Sequence, residues 1–255
     1  MTSPHKVWLE AEGRLLRLRL SRPKANLIDA AMIDALDRAL AEHLGYSGLG
    51  AVLIDAEGPH FSYGASVEEH LPGRCEDMLR GIHGLILRMV EAPVPILTAV
   101  RGQCLGGGLE VALAGHLLFV APEAVLGQPE MKLGVFAPAA SCLLPELIGP
   151  QRALDLLLSG RTISGAEAAA MGIAHAAAVD PEAAALAYFD QHLKPKSASS
   201  LRYAVRAARL DYAARVKAKI ASVERLYLDE LMKTHDAVEG LQAFVAKRAV
   251  QWQHR

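Results

Sequence analysis

Cysteine is scarce in this chain: 255 residues contain only Cys75, Cys104 and Cys142. So sparse and odd a set excludes a disulfide framework and suits a reducing compartment. An excess of one charge is also missing, because 27 basic residues stand against 28 acidic ones. Nonspecific attachment to nucleic acid or to an anionic membrane needs a clustered basic surplus, so neither partner is expected. Under that balance the row Arg202, Arg206 and Arg209 reads as a solvated helix face. No uninterrupted apolar run approaches the roughly 20 residues of a membrane span. Residues 1–13 carry Lys6, Glu10 and Glu12 where a signal peptide would have an apolar core. A soluble, cytoplasmic protein is the expectation. Metal chemistry has little to stand on, since no Cys-x-x-Cys or His-x-x-x-His pair occurs among ten histidines. A Gly-x-Ser-x-Gly nucleophile elbow is missing as well.

What is present is an alternation of short apolar strands and amphipathic helices. Residues 7–11 and 14–20 read as paired strands around Gly13, with Leu16, Leu18 and Leu20 sharing one face. Asp29 is placed to cap a helix whose apolar face carries Met32, Ile33, Leu36, Leu40 and Leu44. Strands are predicted over 51–55, 95–100 and 117–121, a helix over 76–91, and a glycine-rich turn over 102–108 that opens a helix to about Ala114. Alternation of this kind implies parallel pairing and an α/β core. Ser164 and Glu167 have the spacing of a capping box. Beyond Pro195 the pattern is helical throughout, which divides the chain into a core over 1–195 and a helical region over 196–255.

Three segments could carry chemistry. In Val100 to Glu110 a strand runs into Gly106, Gly107 and Gly108 and then into a helix. Glycines admit a ligand close to the backbone, and a helix start offers free N–H donors at the positive end of a dipole, so an oxyanion could be held there. The segment lacks both the Gly-Lys-Ser/Thr ending of a phosphate loop and the Gly-x-Gly-x-x-Gly spacing of a dinucleotide site. By itself it is equally consistent with a structural turn, and Glu110 with ordinary dipole complementarity. In Gly127-Gln128-Pro129-Glu130 the proline stiffens a loop that presents Glu130. The third segment, His60 to Ser66, is an apolar loop after a strand.

Taken in this order and spacing, with Ser21 to Asn26, Leu158 to Arg161, Ala166 to Gly172 and Glu239 to Arg248, these segments resemble the enoyl-CoA hydratase/isomerase (crotonase) superfamily over nearly the whole chain. The resemblance implies a spiral of ββα units with a C-terminal helical trimerisation region, assembled as a homotrimer or a dimer of trimers. It implies an acyl-CoA thioester substrate, no metal, and no cofactor beyond the CoA that enters with the substrate. The oxyanion hole would fall on the N–H groups of Ala65 and Gly107, and the catalytic carboxyls on Glu110 and Glu130. Substrate contacts would involve Lys24, Ala25, Ser66, Gly106, Pro138 and Lys247.

Two departures from the common family pattern fall where the acyl group should lie. Ser66 stands where many members have Asp, and Pro138 to Pro145 replaces a glycine-rich stretch. Tyr63 to His70 and Leu133 to Glu146 are instead similar to a narrower group, the hydratases of cyclohexa-1,5-diene-1-carbonyl-CoA in anaerobic benzoyl-CoA degradation. The resemblance therefore implies a lyase that forms 6-hydroxycyclohex-1-ene-1-carbonyl-CoA. Hydration or isomerisation of linear enoyl-CoA is the first alternative, with thioester hydrolysis and a noncatalytic RNA-binding role behind it.

Overall fold

The computed structural model describes residues 3–255. β1 (His5–Glu10) and β2 (Leu15–Leu20) pair as the expected antiparallel hairpin. After them, α1 (Ala30–His43) begins where Asp29 accepts the Met32 N–H at 3.0 Å, and it buries Met32, Ile33, Leu36 and Leu40. β3 (Ala51–Ala56) lies parallel to β2, and β4 (Ile96–Val100) parallel to β3, with α2 (Cys75–Val90) crossing between them.

A repeating path then builds the site. β4 leads into β5 (Gln103–Leu105) and α3 (Gly107–Ala114), while β6 (Leu117–Val120) leads into β7 (Val125–Gly127) and α4 (Pro138–Ile148). Each turn thus contributes one strand to a six-stranded sheet, ordered β1-β2-β3-β4-β6 and finally β9 (Ala176–Ala177). It contributes another to a small sheet in which β5 and β7 run parallel and β8 (Thr162–Ser164) pairs antiparallel with β7. The loop at Ser62 joins this small sheet through a bridge to Cys104. This is the ββα spiral.

The sequence suggests an unbroken turn over 102–108, whereas the structure places β5 inside it. A three-residue strand is too short to show alternation, and its pairing with β7 is a long-range fact. The capping box is half formed: Ser164 accepts the Glu167 N–H at 3.0 Å, but the Glu167 carboxylate turns to Arg161.

Most helices cover one face of the large sheet, where Leu16, Leu18 and Ile54 meet Met32, Ile86 and Leu118. The other face packs Leu15, Leu53, Leu97 and Phe119 against α7 (Pro181–Tyr188) and the turn after it. α5 (Pro150–Ser159) and α6 (Gly165–Met171) flank β8. The 28-residue α8 (Ala198–Arg225) fully buries only Val216 and Ile220. With Tyr227 and, from α9 (His235–Val245), Ala237 and Leu241, these residues join the main core. No helix among the described residues is long and apolar enough to cross a membrane.

Candidate active site

The small sheet fixes the geometry of the cleft. Ser62 N–H donates to Gln103 O, and Leu105 N–H donates back to Ser62 O, both at 3.0 Å. This pairing carries Ala65 alongside the turn that opens α3. A methyl group added to Gly107 would stand 3.1 Å from Ala65 Cβ and 3.2 Å from Ala65 N, a tight fit that glycine avoids as the two segments approach. Gly107 is the first residue of α3, where no intrahelical acceptor exists. Among the described residues, neither the Ala65 nor the Gly107 N–H donates to a protein acceptor. Two adjacent free donors at a helix start can stabilise a negative oxygen.

Glu110 lies in the first turn of α3 and is only 4% exposed. Its Oε1 accepts the backbone N–H of Ala140 at 2.9 Å. Ala140 belongs to the first turn of α4, which starts at Pro138, so Glu110 supplies from another element the acceptor that this helix start lacks. Burial pushes the Glu110 carboxyl upward from its ordinary pKa, while the Ala140 N–H, the charge of His83 and the Ala139 N–H oppose that shift.

Glu130 follows β7 in a short 3-10 turn, Pro129–Leu133. Gly106 N–H donates to Gly127 O at 2.9 Å and ties this loop to the glycine turn. Gly106 itself has φ +49°, and a Cβ there would lie 2.7 Å from Glu130 Oε1. The carboxyl therefore rests directly over the glycine. Burial raises the Glu130 pKa to about 8, and the nearby Glu110 charge acts in the same direction. Gln128, 1% exposed, faces this carboxyl, and with its amide nitrogen turned inward it donates to both oxygens at 3.1 Å.

The two free donors and the two carboxyls just described border one concave cleft. Ala65, Gly106, Gly107, Glu110, Glu130 and Pro138 all line it, and Val67, Met78, Leu79, Ile82, Leu133 and Val135 make the walls apolar. The other expected residues lie outside this lining. Ser66 opens the turn Val67–His70, and its carbonyl accepts from His70 Nδ1 at 2.8 Å. Ala25 stands behind the cleft residue Tyr63, whose N–H donates to Ala25 O, and Lys24 adopts φ +91° beside it. Lys247 sits just past the end of α9 with φ +53°.

Two partners were not legible as site residues. Ala140 holds Glu110 from 30 positions away, and its only signal was Pro138 at a helix start. Gln128 could have been suspected from its place two residues before Glu130, but nothing local said that it would be buried.

Comparison with known proteins bears on the family and the fold. The family description "Enoyl-CoA hydratase/isomerase" matches residues 10–255. The chain is 63% identical over 254 residues to a protein of Thauera aromatica named cyclohexa-1,5-dienecarbonyl-CoA hydratase, covering 100% of this chain and 98% of that one. It is 34% identical to a probable enoyl-CoA hydratase of Bacillus subtilis (strain 168), covering 92% and 93%. In fold it is similar to a crystal structure of an enoyl-CoA hydratase from Mycobacterium avium subsp. paratuberculosis K-10, with TM-score 0.86, 22% identity and coverage of 99% and 100%. The full-length family match and the sequence identity to these relatives show that this chain belongs to the enoyl-CoA hydratase/isomerase family.

Proposed function

We propose that this chain hydrates cyclohexa-1,5-diene-1-carbonyl-CoA to 6-hydroxycyclohex-1-ene-1-carbonyl-CoA. The observation that carries the reaction class is the pairing of two buried carboxyls with two free backbone N–H groups around one apolar cleft. The identity to the Thauera aromatica hydratase supports the cyclic substrate. The Pro138 to Pro145 segment, which departs from the common pattern and lines the cleft at Pro138, points the same way.

In this reading the thioester oxygen accepts from the Ala65 and Gly107 N–H groups. Glu110, favoured as an anion by the α4 backbone N–H of Ala140, takes a proton from water. The oxygen of that water bonds to the ring carbon beside the carbonyl-bearing one. The displaced π electrons pass to the thioester oxygen and form a dienolate. Each backbone donor aimed at such an oxygen is worth about 3–4 kcal/mol of barrier in enzymes of this design. Glu130, whose raised pKa keeps it protonated near neutrality, delivers a proton to the far carbon of the diene. The proton taken by Glu110 restores Glu130 through solvent, so one water is consumed and nothing else is. This addition requires no metal or redox cofactor, since CoA arrives with the substrate.

Lys24, Ala25 and Lys247 would serve the CoA moiety, Ser66 the acyl group, and the largely exposed α8 would serve assembly into a trimer or a dimer of trimers. The setting would be the cytoplasm, in the breakdown of aromatic compounds. The test follows the cyclic dienoyl-CoA and crotonyl-CoA by chromatography and mass. A gain of one water on the cyclic substrate, much faster than on crotonyl-CoA, is expected. Fast hydration of crotonyl-CoA with an inert diene would assign the chain to linear enoyl-CoA instead.

A further inference from the structure

Among the residues that line the cleft, His70 carries a hydrogen-bonding side chain that the hydration just derived does not use. It closes the 3-10 turn Val67–His70, which starts two residues after the oxyanion residue Ala65. The turn is held at two points. Glu69 accepts the Ala30 N–H of α1 at 3.1 Å, and His70 Nδ1 lies 2.8 Å from Ser66 O. A carbonyl oxygen only accepts, so Nδ1 carries a proton, and in the neutral ring Nε2 is left with a lone pair. Nε2 has no protein partner among the described residues, yet unlike the Nε2 atoms of His83 and His116 it is not sealed from open space. The open space that His70 borders is the cleft.

The tether to Ser66 would not single this residue out, because His43 makes the same contact with Ala39 O at 2.8 Å in α1. What sets His70 apart is its setting. The other cleft residues on its own turn and on the following α2 are Val67, Met78, Leu79 and Ile82, all apolar, and the same cleft holds both carboxyls. Burial keeps the His70 pKa below its ordinary value, with the Ser66 carbonyl opposing, so near neutral pH the ring offers an acceptor and not a charge. Such an acceptor cannot serve the thioester oxygen, which needs donors. The dienoyl ring has no O–H or N–H of its own. The protic group that the reaction brings to the acyl part of the site is the water, and afterwards the ring hydroxyl.

We propose that His70 is a further catalytic residue, its Nε2 accepting a hydrogen bond from the water that adds to the ring and then from the hydroxyl this water becomes. One proton of the water passes to Glu110. The other stays on the oxygen and points at His70, so the imidazole gains and loses nothing in a turnover. This inference rests on the cyclic-substrate reading.

The test uses two variants, assayed in hydration of the cyclic dienoyl-CoA and in dehydration of its 6-hydroxy product. An asparagine amide N–H falls where Nδ1 stands, so His70→Asn keeps the Ser66 bond and removes the acceptor in the cleft. A glutamine amide reaches the place of Nε2, so His70→Gln keeps a cleft acceptor and gives up the Ser66 bond. His70→Asn is expected to lose about tenfold in hydration turnover, the worth of one hydrogen bond, while KM for the diene stays within about threefold. In dehydration its KM for the hydroxy-thioester should rise about fivefold, because that ligand carries the hydroxyl that His70 holds. His70→Gln should keep hydration turnover within about threefold of wild type. His70→Asn kinetics within about twofold of wild type in both directions would overturn the inference. So would a deeper loss in His70→Gln than in His70→Asn, since the Ser66 tether would then be the part that matters. A wild-type enzyme inert on the cyclic pair would instead overturn the substrate reading, and this inference with it.

Discussion

Two clusters of buried charge occupy opposite faces of the large sheet, and they solve the same physical problem in opposite ways. On the face covered by α7, Arg17 and Arg19 of β2 meet Asp55 of β3 and Glu182 of α7. Arg19 Nε donates to Asp55 Oδ1 at 2.5 Å, and both guanidinium groups reach Glu182 Oε1 at 2.5 Å. Trp8 lies against Arg17, 5.0 Å from its ring centre, and Glu10 accepts from Arg17 as well. Every charge there has an opposite neighbour, and the hydrogen bond to Asp55 is the leading reason that Arg19 holds its proton more firmly than usual. On the other face, Glu110 and Glu130 share a cleft without a cation hydrogen-bonded to either, and both carboxyls are driven upward by burial. Paired buried charge makes a fixed structural joint, whereas like charge left together makes groups able to exchange protons near neutral pH.

The contrast can be broken most severely on the structural side. Asp55→Ala would leave Arg17, 3% exposed, without its buried carboxylate, and a loss of about 3–5 kcal/mol in unfolding free energy is expected by denaturant titration. Catalysis should fall only through the lost fold. Glu130→Gln should do the reverse, cutting hydration turnover at least about a hundredfold in steady-state assays while leaving the circular dichroism spectrum unchanged. Near-normal turnover in that variant would remove Glu130 from the mechanism. Gly106→Ala is expected to be milder. Its Cβ, in a left-handed backbone at φ +49°, would press on the carboxyl 2.7 Å away. Displacing a reacting group by a fraction of an ångström should lower turnover on the order of tenfold, with a smaller change in KM.

The same carboxyl also makes stability depend on pH. Because the folded pKa of Glu130, about 8, lies above its ordinary 4.5, the native state retains a proton that the unfolded chain releases. Wild-type stability should therefore decline as pH rises from about 4.5 to 8 on account of this group. Glutamine cannot ionise, so Glu130→Gln should melt with wild type near pH 4.5 and above it by pH 8. Parallel melting curves for the two proteins across that window would show that the carboxyl is not held protonated.

Much of this was open to the sequence. The β1–β2 hairpin and the Asp29-capped α1 are local matters of alternation, spacing and a side-chain acceptor, and both formed as read. The glycine run before Glu110 announced a close backbone approach, and a Cβ on Gly107 would indeed press on Ala65. The order of the three segments carried the family, and with it the expectation that Ala65, Gly107, Glu110 and Glu130 would converge on one cleft. Local sequence thus specified most of the elements and the chemical types placed at their ends, since these depend on neighbours within a few residues.

The surroundings of the two carboxyls came from the folded chain. The Ala140 N–H that steadies Glu110 and the Gln128 side chain that faces Glu130 owe their places to burial and to packing beyond the local sequence. β5 escaped notice for the same reason, being defined by its partner strand and not by its own three residues. A side chain's electrostatic environment is set by what packs around it from every direction, and a linear sequence specifies that only once the chain has closed on itself.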